Sequence, residues 1–446
     1  MWQARTISGR VFAAVVAVGG GTVLAKSVAA LKEMAVAHRF GTADTLDAFL
    51  IAFLLPSFAI GVAARSLTPA LVPGYIEAHD RRGQEAAARL LGAVLRRTAV
   101  LLVSVTVLLA AAGPFILRFL AAGFPLEKLA LTRSLFFFLL PVIAISGLSS
   151  VWGGVLNARE RFTLVAAAPV FQPIGILGAL LVGGERSGIF ALVVGTLIGA
   201  LAEAAVVAWG LKRVGVSPWP PATGGEAAAK EVLRDYWPLL VGSILMGSTT
   251  LVDQAMAATL PSGSVSILSY GSRLSGFIVA AGAMALGTAV LPHFARLLAA
   301  GEAEAVGALL RKWMLWIGLA GGFTAVALIV ASRGIVTLWF ERGAFGPADA
   351  TAVTLVQQLL LLQIPFYMLG MLHVRLISAL RANKVLLWGT CISVVVNFLL
   401  NVFFMRLIGV AGIALSTSLV YVVQFVYLRL KAVRILRDRS MAVRIP

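Results

Sequence analysis

Charge and cysteine are what this sequence has least of. Only 13% of its 446 residues are Asp, Glu, Lys or Arg, against 60% hydrophobic, and the mean hydropathy is +0.96. A chain with so few polar residues cannot cover a water-facing globule of this size, which excludes a soluble enzyme or a soluble binding domain. One cysteine, Cys391, excludes an intrachain disulfide. The soluble-enzyme signatures are missing as well: there is no P-loop, no GxSxG, no HExxH and no Cys/His spacing for a metal. Strict apolar/polar alternation is also lacking, which excludes a transmembrane β-barrel and leaves helices as the means of satisfying the backbone in lipid.

What the chain does have is apolar runs of membrane-spanning length, roughly 20 residues each. They centre near residues 20, 60, 102, 145, 173, 199, 247, 279, 322, 365, 395 and 420. The expectation is an all-α membrane protein of about 12 transmembrane helices without a soluble domain. Basic residues precede the first run, but no cleavage site follows it and Lys26 and Lys32 interrupt it, so it reads as an uncleaved span. The formal net charge of +18 is explained by topology and not by nucleic acid. Arg81, Arg82, Arg89, Arg96, Arg97, Lys212, Arg213 and the C-terminal cluster from Arg429 onward fall on one side of the expected spans, and the far fewer basic residues on the other side include Arg39, Lys128 and Arg342. The positive-inside bias therefore places both termini in the cytoplasm. Cytoplasmic basic clusters read as contacts to anionic lipid headgroups.

The runs form two copies of one six-span pattern. "ALVP" ending at Pro73 answers "AVLP" ending at Pro292, and at the same offset "GPFILRFLAAGF" (113–124) answers "SRGIVTLWFERG" (332–343). After a short slip, Pro141 meets Pro365 and "VLNARERF" from Val155 meets "ALRANKVL" from Ala379. Both halves enter from the same side, as in parallel repeats. The expected organisation is an N-terminal lobe of residues 1–210, a Pro/Gly-rich cytoplasmic linker of 211–235 and a C-terminal lobe of 236–446, related by a pseudo-twofold axis around a central cavity.

Ionisable residues inside spans cost roughly 2.5–3.5 kcal/mol each and so mark sites or wet interiors. Helix one carries Lys26, Lys32 and Glu33; Lys26 and Glu33 share a face, with Lys32 one step round, below a Gly19–Gly21 run expected to bend the helix. Arg65 lies in the second span and Arg273 in the eighth. Asp253 in the seventh span is the repeat counterpart of the position next to Glu33, so the two carboxylates are candidates to face each other across the cavity. Asp47 reads either as a cavity carboxylate or as the N-terminal cap of the second span. Glu203, His373 and Arg375 read as lone polar positions, with Arg375 snorkelling to the cytoplasmic surface. Pro56 and Pro69 in the second span, and Gly271, Gly276, Gly282 and Gly287 in the eighth, predict kinks and close helix contacts.

Five segments carry a resemblance to a known family: "FGTADTLDAF…ALVP" (40–73), "LSSVWGGVLNARERF…VFQ" (148–172), "SGSVSILSYGSRLSGF…VLP" (262–292), "LWFERGAFGPADA" (338–350) and "NFLLNVFFMRLIGVAGIALSTSLVY" (397–421). Together they resemble the MurJ/MviN lipid II flippases of the multidrug/oligosaccharidyl-lipid/polysaccharide exporter superfamily. The resemblance implies a two-lobed bundle that carries an undecaprenyl-pyrophosphate-linked glycan from the inner to the outer leaflet of the bacterial cytoplasmic membrane by alternating access. It places Lys26, Lys32, Asp47 and Arg273 at positions of the family motifs. Lys26, Lys32 and Arg273, with Arg65, are then the candidates to neutralise the diphosphate, and Glu33, Asp47 and Asp253 the candidate coupling or cavity carboxylates. A Na+ or H+ coupling ion is left open, and no cofactor and no catalytic residue is expected. The expected partners are the lipid-linked substrate and membrane lipids, with the protein a monomer.

The chain departs from the family where an arginine pair is replaced by Ile60 and Gly61, with Arg65 one turn later, and in ending after the twelfth expected span where the family adds two helices. An exopolysaccharide or O-antigen carrier lipid therefore stands beside lipid II as substrate. Two further readings are an ion-coupled multidrug antiporter using Glu33 and Asp253, and a non-transporting membrane scaffold.

Overall fold

The structure is a computed structural model that describes residues 2–183, 187–221 and 223–443; side chains of residues 1–18, 64–65, 288–289, 303 and 438–443 lie outside that description. Among the described residues every regular element is helical. In chain order they are α1 (Trp2–Phe40), α2 (Asp44–Leu120), α3 (Leu126–Leu139), α4 (Pro141–Ala158), α5 (Phe162–Ala167), a 3-10 turn (Ala168–Val170), α6 (Phe171–Gly183) and α7 (Phe190–Arg213). Then follow α8 (Glu226–Ala257), α9 (Ser264–Ala299), α10 (Ala303–Phe340), α11 (Pro347–Leu361), α12 (Gln363–Ala379), α13 (Asn383–Ile408) and α14 (Val410–Val443).

Ten helical segments among the described residues are long and apolar enough to cross a membrane, against about twelve expected. Pairs α3–α4, α5–α6 and α11–α12 each make one segment with a break inside it, and α1 is not among the ten. The 77-residue α2 would be about 115 Å long if straight, several times the hydrocarbon thickness. It folds back instead at Gly83 (φ 82°, ψ 177°), a backbone conformation that only glycine adopts at no cost. Leu90 consequently packs 4.0 Å from the Cβ position of Gly74. Pro56 and Pro69 do not interrupt the helix, and Gly83 is the residue in α2 that leaves helical dihedrals.

The chain divides into two compact units, one of residues 1–40 and 44–247, the other of 41–43 and 248–446. The first has its core where α2 packs on α4, with Leu71, Tyr75, Leu90, Leu91, Val155, Leu156 and Leu211 almost fully buried. Residues 214–221 are seated on this unit: Trp152 Nε1 donates to Pro218 O at 2.9 Å and Gln84 Nε2 to Gly215 O at 2.8 Å. The division falls inside α8, between Gly247 and Ser248. The second unit centres on Phe294, Val306, Leu372, Leu376, Ile377 and Leu428.

The same local pattern recurs in both units. The helix breaks at Leu140, before α4, and at Leu362, before α12. Two residues after each of these helices ends stands a non-glycine residue of left-handed backbone, Glu160 and Arg381, both with φ 58°. These markers set the halves in register two to three residues away from the pairing of Pro141 with Pro365, because Pro141 opens α4 whereas Pro365 lies inside the first turn of α12.

Lipid tails are as apolar as leucine, so helix contacts in the bilayer depend on close packing and not on water exclusion. Gly175 of α6 and the Gly195/Gly199 pair of α7 show this: a Cβ on Gly199 would lie 2.6 Å from Gln172 Cα, and one on Gly175 would lie 2.4 Å from Gly195 O. Gly199→Leu is therefore expected to separate α6 from α7 and lower stability by at least ~1–3 kcal/mol, read as an earlier midpoint in detergent unfolding. Gly178→Ala, where a Cβ meets nothing within 4 Å, is expected to leave it unchanged.

Candidate functional site

The residues singled out by sequence fall into different surroundings. On α1, which is helical through Gly19–Gly21, Lys26 is exposed and has no hydrogen-bond acceptor among the described residues. Lys32 and Glu33 are half-buried, and Lys32 Nζ meets Glu33 Oε1 at 2.5 Å. Adjacent helical positions point 100° apart, yet a lysine is long enough to bend across that step. Glu33 thus takes its neighbour Lys32 as an ion-pair partner. Arg65 lies on α2 with its side chain outside the described residues. Arg273 on α9 is exposed and donates to Ser269 Oγ at 3.2 Å, one turn earlier.

Asp47 has a structural setting. It sits in the first turn of α2, 1% exposed, and accepts a hydrogen bond from Lys128 Nζ of α3 at 2.9 Å. Asp44 accepts from the same ammonium group, and the Phe124 ring lies 4.0 Å beneath it. The carboxylates also stand where the helix dipole favours negative charge. This sealed pair ties α2 to α3, so Asp47 belongs to an ion pair and not to an open cavity wall. Lys128, placed by sequence only in a count of loop charges, is its partner.

Asp253 is enclosed by side chains of its own unit. Its Oδ1 accepts from Asn397 Nδ2 at 3.0 Å and from Asn401 Nδ2 at 2.6 Å, both on α13, and Thr417 Oγ1 of α14 lies 3.2 Å from Oδ2. Asn397 and Asn401 are 1% and 0% exposed, and each leaves its amide oxygen without a partner. The Thr417 hydroxyl has one proton and a second acceptor, Ile413 O, at 3.0 Å. Amide orientation is an assignment made from the hydrogen-bond network. With both amides turned over and the Thr417 proton on Ile413, the site presents Asp253, Asn397, Asn401 and Thr417 as oxygen donors around one negative charge. Such a set suits a small hard monovalent cation, and among the described residues no cluster of His, Cys, Asp and Glu suits a transition metal. Asn397 and Asn401 lie in one of the segments that carry the family resemblance, and their i, i+4 spacing in an apolar helix is the sequence signal for this cluster.

Residues 41–43, which join α1 to α2, belong to the second unit. Thr42 Oγ1 donates to Asp349 Oδ1 at 2.6 Å while Asp349 Oδ2 accepts from Gly346 N at 2.9 Å and caps α11. Tyr270 OH donates to Gly41 O at 3.3 Å, and a Cβ on Gly41 would lie 2.4 Å from Ala344 O. Two of the segments that carry the family resemblance, around Gly41 and around Phe345, therefore meet in one socket.

The pattern described as lipid II flippase MurJ matches residues 36–442. The chain belongs to the MurJ family. Among its relatives, the lipid II flippase MurJ of Burkholderia cenocepacia is 27% identical over 426 residues, covering 91% of this chain and 80% of the relative. The probable lipid II flippase MurJ of Thermotoga maritima is 25% identical over 419 residues, covering 92% and 83%. A solved MurJ in an inward closed conformation superposes with a TM-score of 0.79 at 21% identity, over 96% of this chain and 90% of the other. An inward-facing multidrug resistance transporter of the MATE family, from the MOP superfamily, superposes with a TM-score of 0.78 at 13% identity, over 95% and 99%. At those identities both structures establish the fold alone. In the MurJ fold as this chain builds it, helices long and apolar enough to cross a membrane make a multi-pass protein.

Two measurements follow. Lys128→Met removes the ammonium partner of the buried Asp47 and is expected to cost ~3–5 kcal/mol in SDS unfolding, whereas Lys128→Met with Asp47→Leu costs less than the two single changes together. Sodium chloride is expected to raise the Tm of the purified protein relative to choline chloride, and Asp253→Ala or Asn401→Leu abolishes that rise; equal Tm values in the two salts exclude a sodium site here.

Proposed function

We propose that the protein is a flippase that moves a polyprenyl-pyrophosphate-linked saccharide, lipid II or a related cell-envelope precursor, from the inner to the outer leaflet by alternating access. The observation that carries this reading is the MurJ match over residues 36–442, joined to a first helix whose exposed Lys26 has no partner among the described residues. A pyrophosphate cannot enter hydrocarbon bare, and Lys or Arg supplies both charge and donors. Lys26, Lys32 and Arg273, with Arg65, are the residues assigned to it. Glu33 keeps Lys32 in place when no substrate is present, and the Asp253 cluster takes the coupling cation. Two six-span lobes, residues 1–210 and 236–446 with 211–235 between them, work as a monomer in the bacterial cytoplasmic membrane, both termini in the cytoplasm. The protein performs transport and no covalent chemistry.

The multidrug-antiporter alternative rests on a fold likeness at 13% identity, while the family match runs to MurJ. In vesicles loaded with a labelled undecaprenyl-linked precursor, Lys26→Gln combined with Arg273→Gln is expected to cut flipping to background with the Tm preserved. Transport at the unsubstituted rate by that double variant would falsify the assignment.

A further inference from the structure

Arg375 is a charged group the reading above does not use. It lies four residues from the end of α12, half-buried, and its Nε is sealed from solvent with no acceptor. Among the described residues, the helices around it offer no counter-ion. Helices α9, α12 and α13 contain no Asp or Glu; α10 has only Glu304 and α14 only Asp438, whose side chain lies outside the described residues. The one acid of α11, Asp349, is bound to Thr42 and Gly346 at the opposite end of the α11–α12 segment. Asp253 of α8 lies two aromatic side chains away: Tyr421 is within electrostatic reach of Asp253, its ring stands 5.3 Å from that of Tyr367, and Tyr367 is within reach of Arg375.

A half-buried guanidinium whose Nε is sealed without an acceptor carries a desolvation cost that an incoming anion repays. The surroundings hold it in position for one. Gly287 of α9 removes a side chain where the guanidinium lies: a Cβ there would stand 2.8 Å from Arg375 Nη2 and 3.4 Å from Cζ. Gly287 follows Arg273 on the same helix at a spacing that returns to within about 40° of the same face, ~21 Å along the axis. One face of α9 thus carries a guanidinium towards each end, Arg273 from its own backbone and Arg375 from the neighbouring helix.

We propose that Arg375 is a phosphate-binding residue of the transport path, taking the lipid-linked pyrophosphate at the inner-leaflet end of α9 before it reaches Arg273. This rests on the flippase reading and on its topology. The fork geometry of arginine suits two oxygens of one phosphate.

The test titrates undecaprenyl pyrophosphate, undecaprenol and phosphatidylglycerol against the full-length protein in phosphatidylcholine nanodiscs. Unsubstituted protein binding the pyrophosphate no better than undecaprenol sinks the flippase reading itself. Given that preference, Arg375→Gln is expected to weaken pyrophosphate binding roughly tenfold or more, the usual worth of a hydrogen bond to a charged group, and to leave undecaprenol binding unchanged. Arg375→Lys restores part of the loss. Gly287→Ala, which keeps the arginine but pushes its Nη2 aside, weakens pyrophosphate binding in the same sense and decides the matter if the glutamine variant fails to fold. Unaltered pyrophosphate affinity in Arg375→Gln and Gly287→Ala overturns the proposal, as does an equal loss for undecaprenol. Phosphatidylglycerol binding that depends on Arg375 as strongly as pyrophosphate binding overturns it too, assigning the guanidinium to bulk headgroups.

Discussion

A polar group inside a hydrocarbon layer has no water to turn to, and each one left without a partner costs several kcal/mol. The internal organisation of this chain follows from that constraint. Serine and threonine hydroxyls inside the helices return their protons to the carbonyl one turn back, as Ser66 does to Val62, Thr196 to Leu192 and Ser332 to Leu328. The charges at the start of α2 and α3 close on each other as Asp47 and Lys128. Among the described residues, the amide oxygens of Asn397 and Asn401 and the Arg375 Nε are buried without a partner, as are Arg133 Nε, Gln357 Nε2 and His373 Nε2.

The two units use the constraint differently. In the first, Lys32 is neutralised locally by Glu33 while Lys26 stands open. In the second, a single carboxylate is surrounded by neutral donors drawn from two other helices, so that its negative charge is solvated without being cancelled. A carboxylate held by amides and a hydroxyl can exchange those donors for a cation by turning the same side chains over, which costs far less than breaking a buried ion pair. Moving one elementary charge through the membrane potential is worth about 2.3 kcal/mol per 100 mV, enough to bias a transport step.

Much of the fold was legible along the chain. Apolar run length announced a helical membrane protein, and the repeated punctuation of the two halves reappears as breaks at Leu140 and Leu362 and as left-handed ends at Glu160 and Arg381. The registration was off by a few residues because identical prolines were aligned, whereas proline position within a helix start varies by a turn at little cost. The candidate site was legible only in part. Residue type alone marked Lys26, Lys32, Arg273 and Asp253 as unusual in a membrane. It did not separate them from Asp47, whose partner lies 81 positions away, nor supply Asn397, Asn401 and Thr417 as the surroundings of Asp253.

The division has a physical cause. Transfer into a bilayer is close to additive over neighbouring residues, so hydropathy read in a window determined by itself that these segments are membrane helices, that no soluble core exists, and which charges must find a purpose. Which charge is sealed, which is left open and which gathers oxygen donors depends on the faces that distant helices present to one another. Asp253 and Asn401, 148 residues apart in sequence, were brought to 2.6 Å by packing that no local period encodes, and only the tertiary structure decided it.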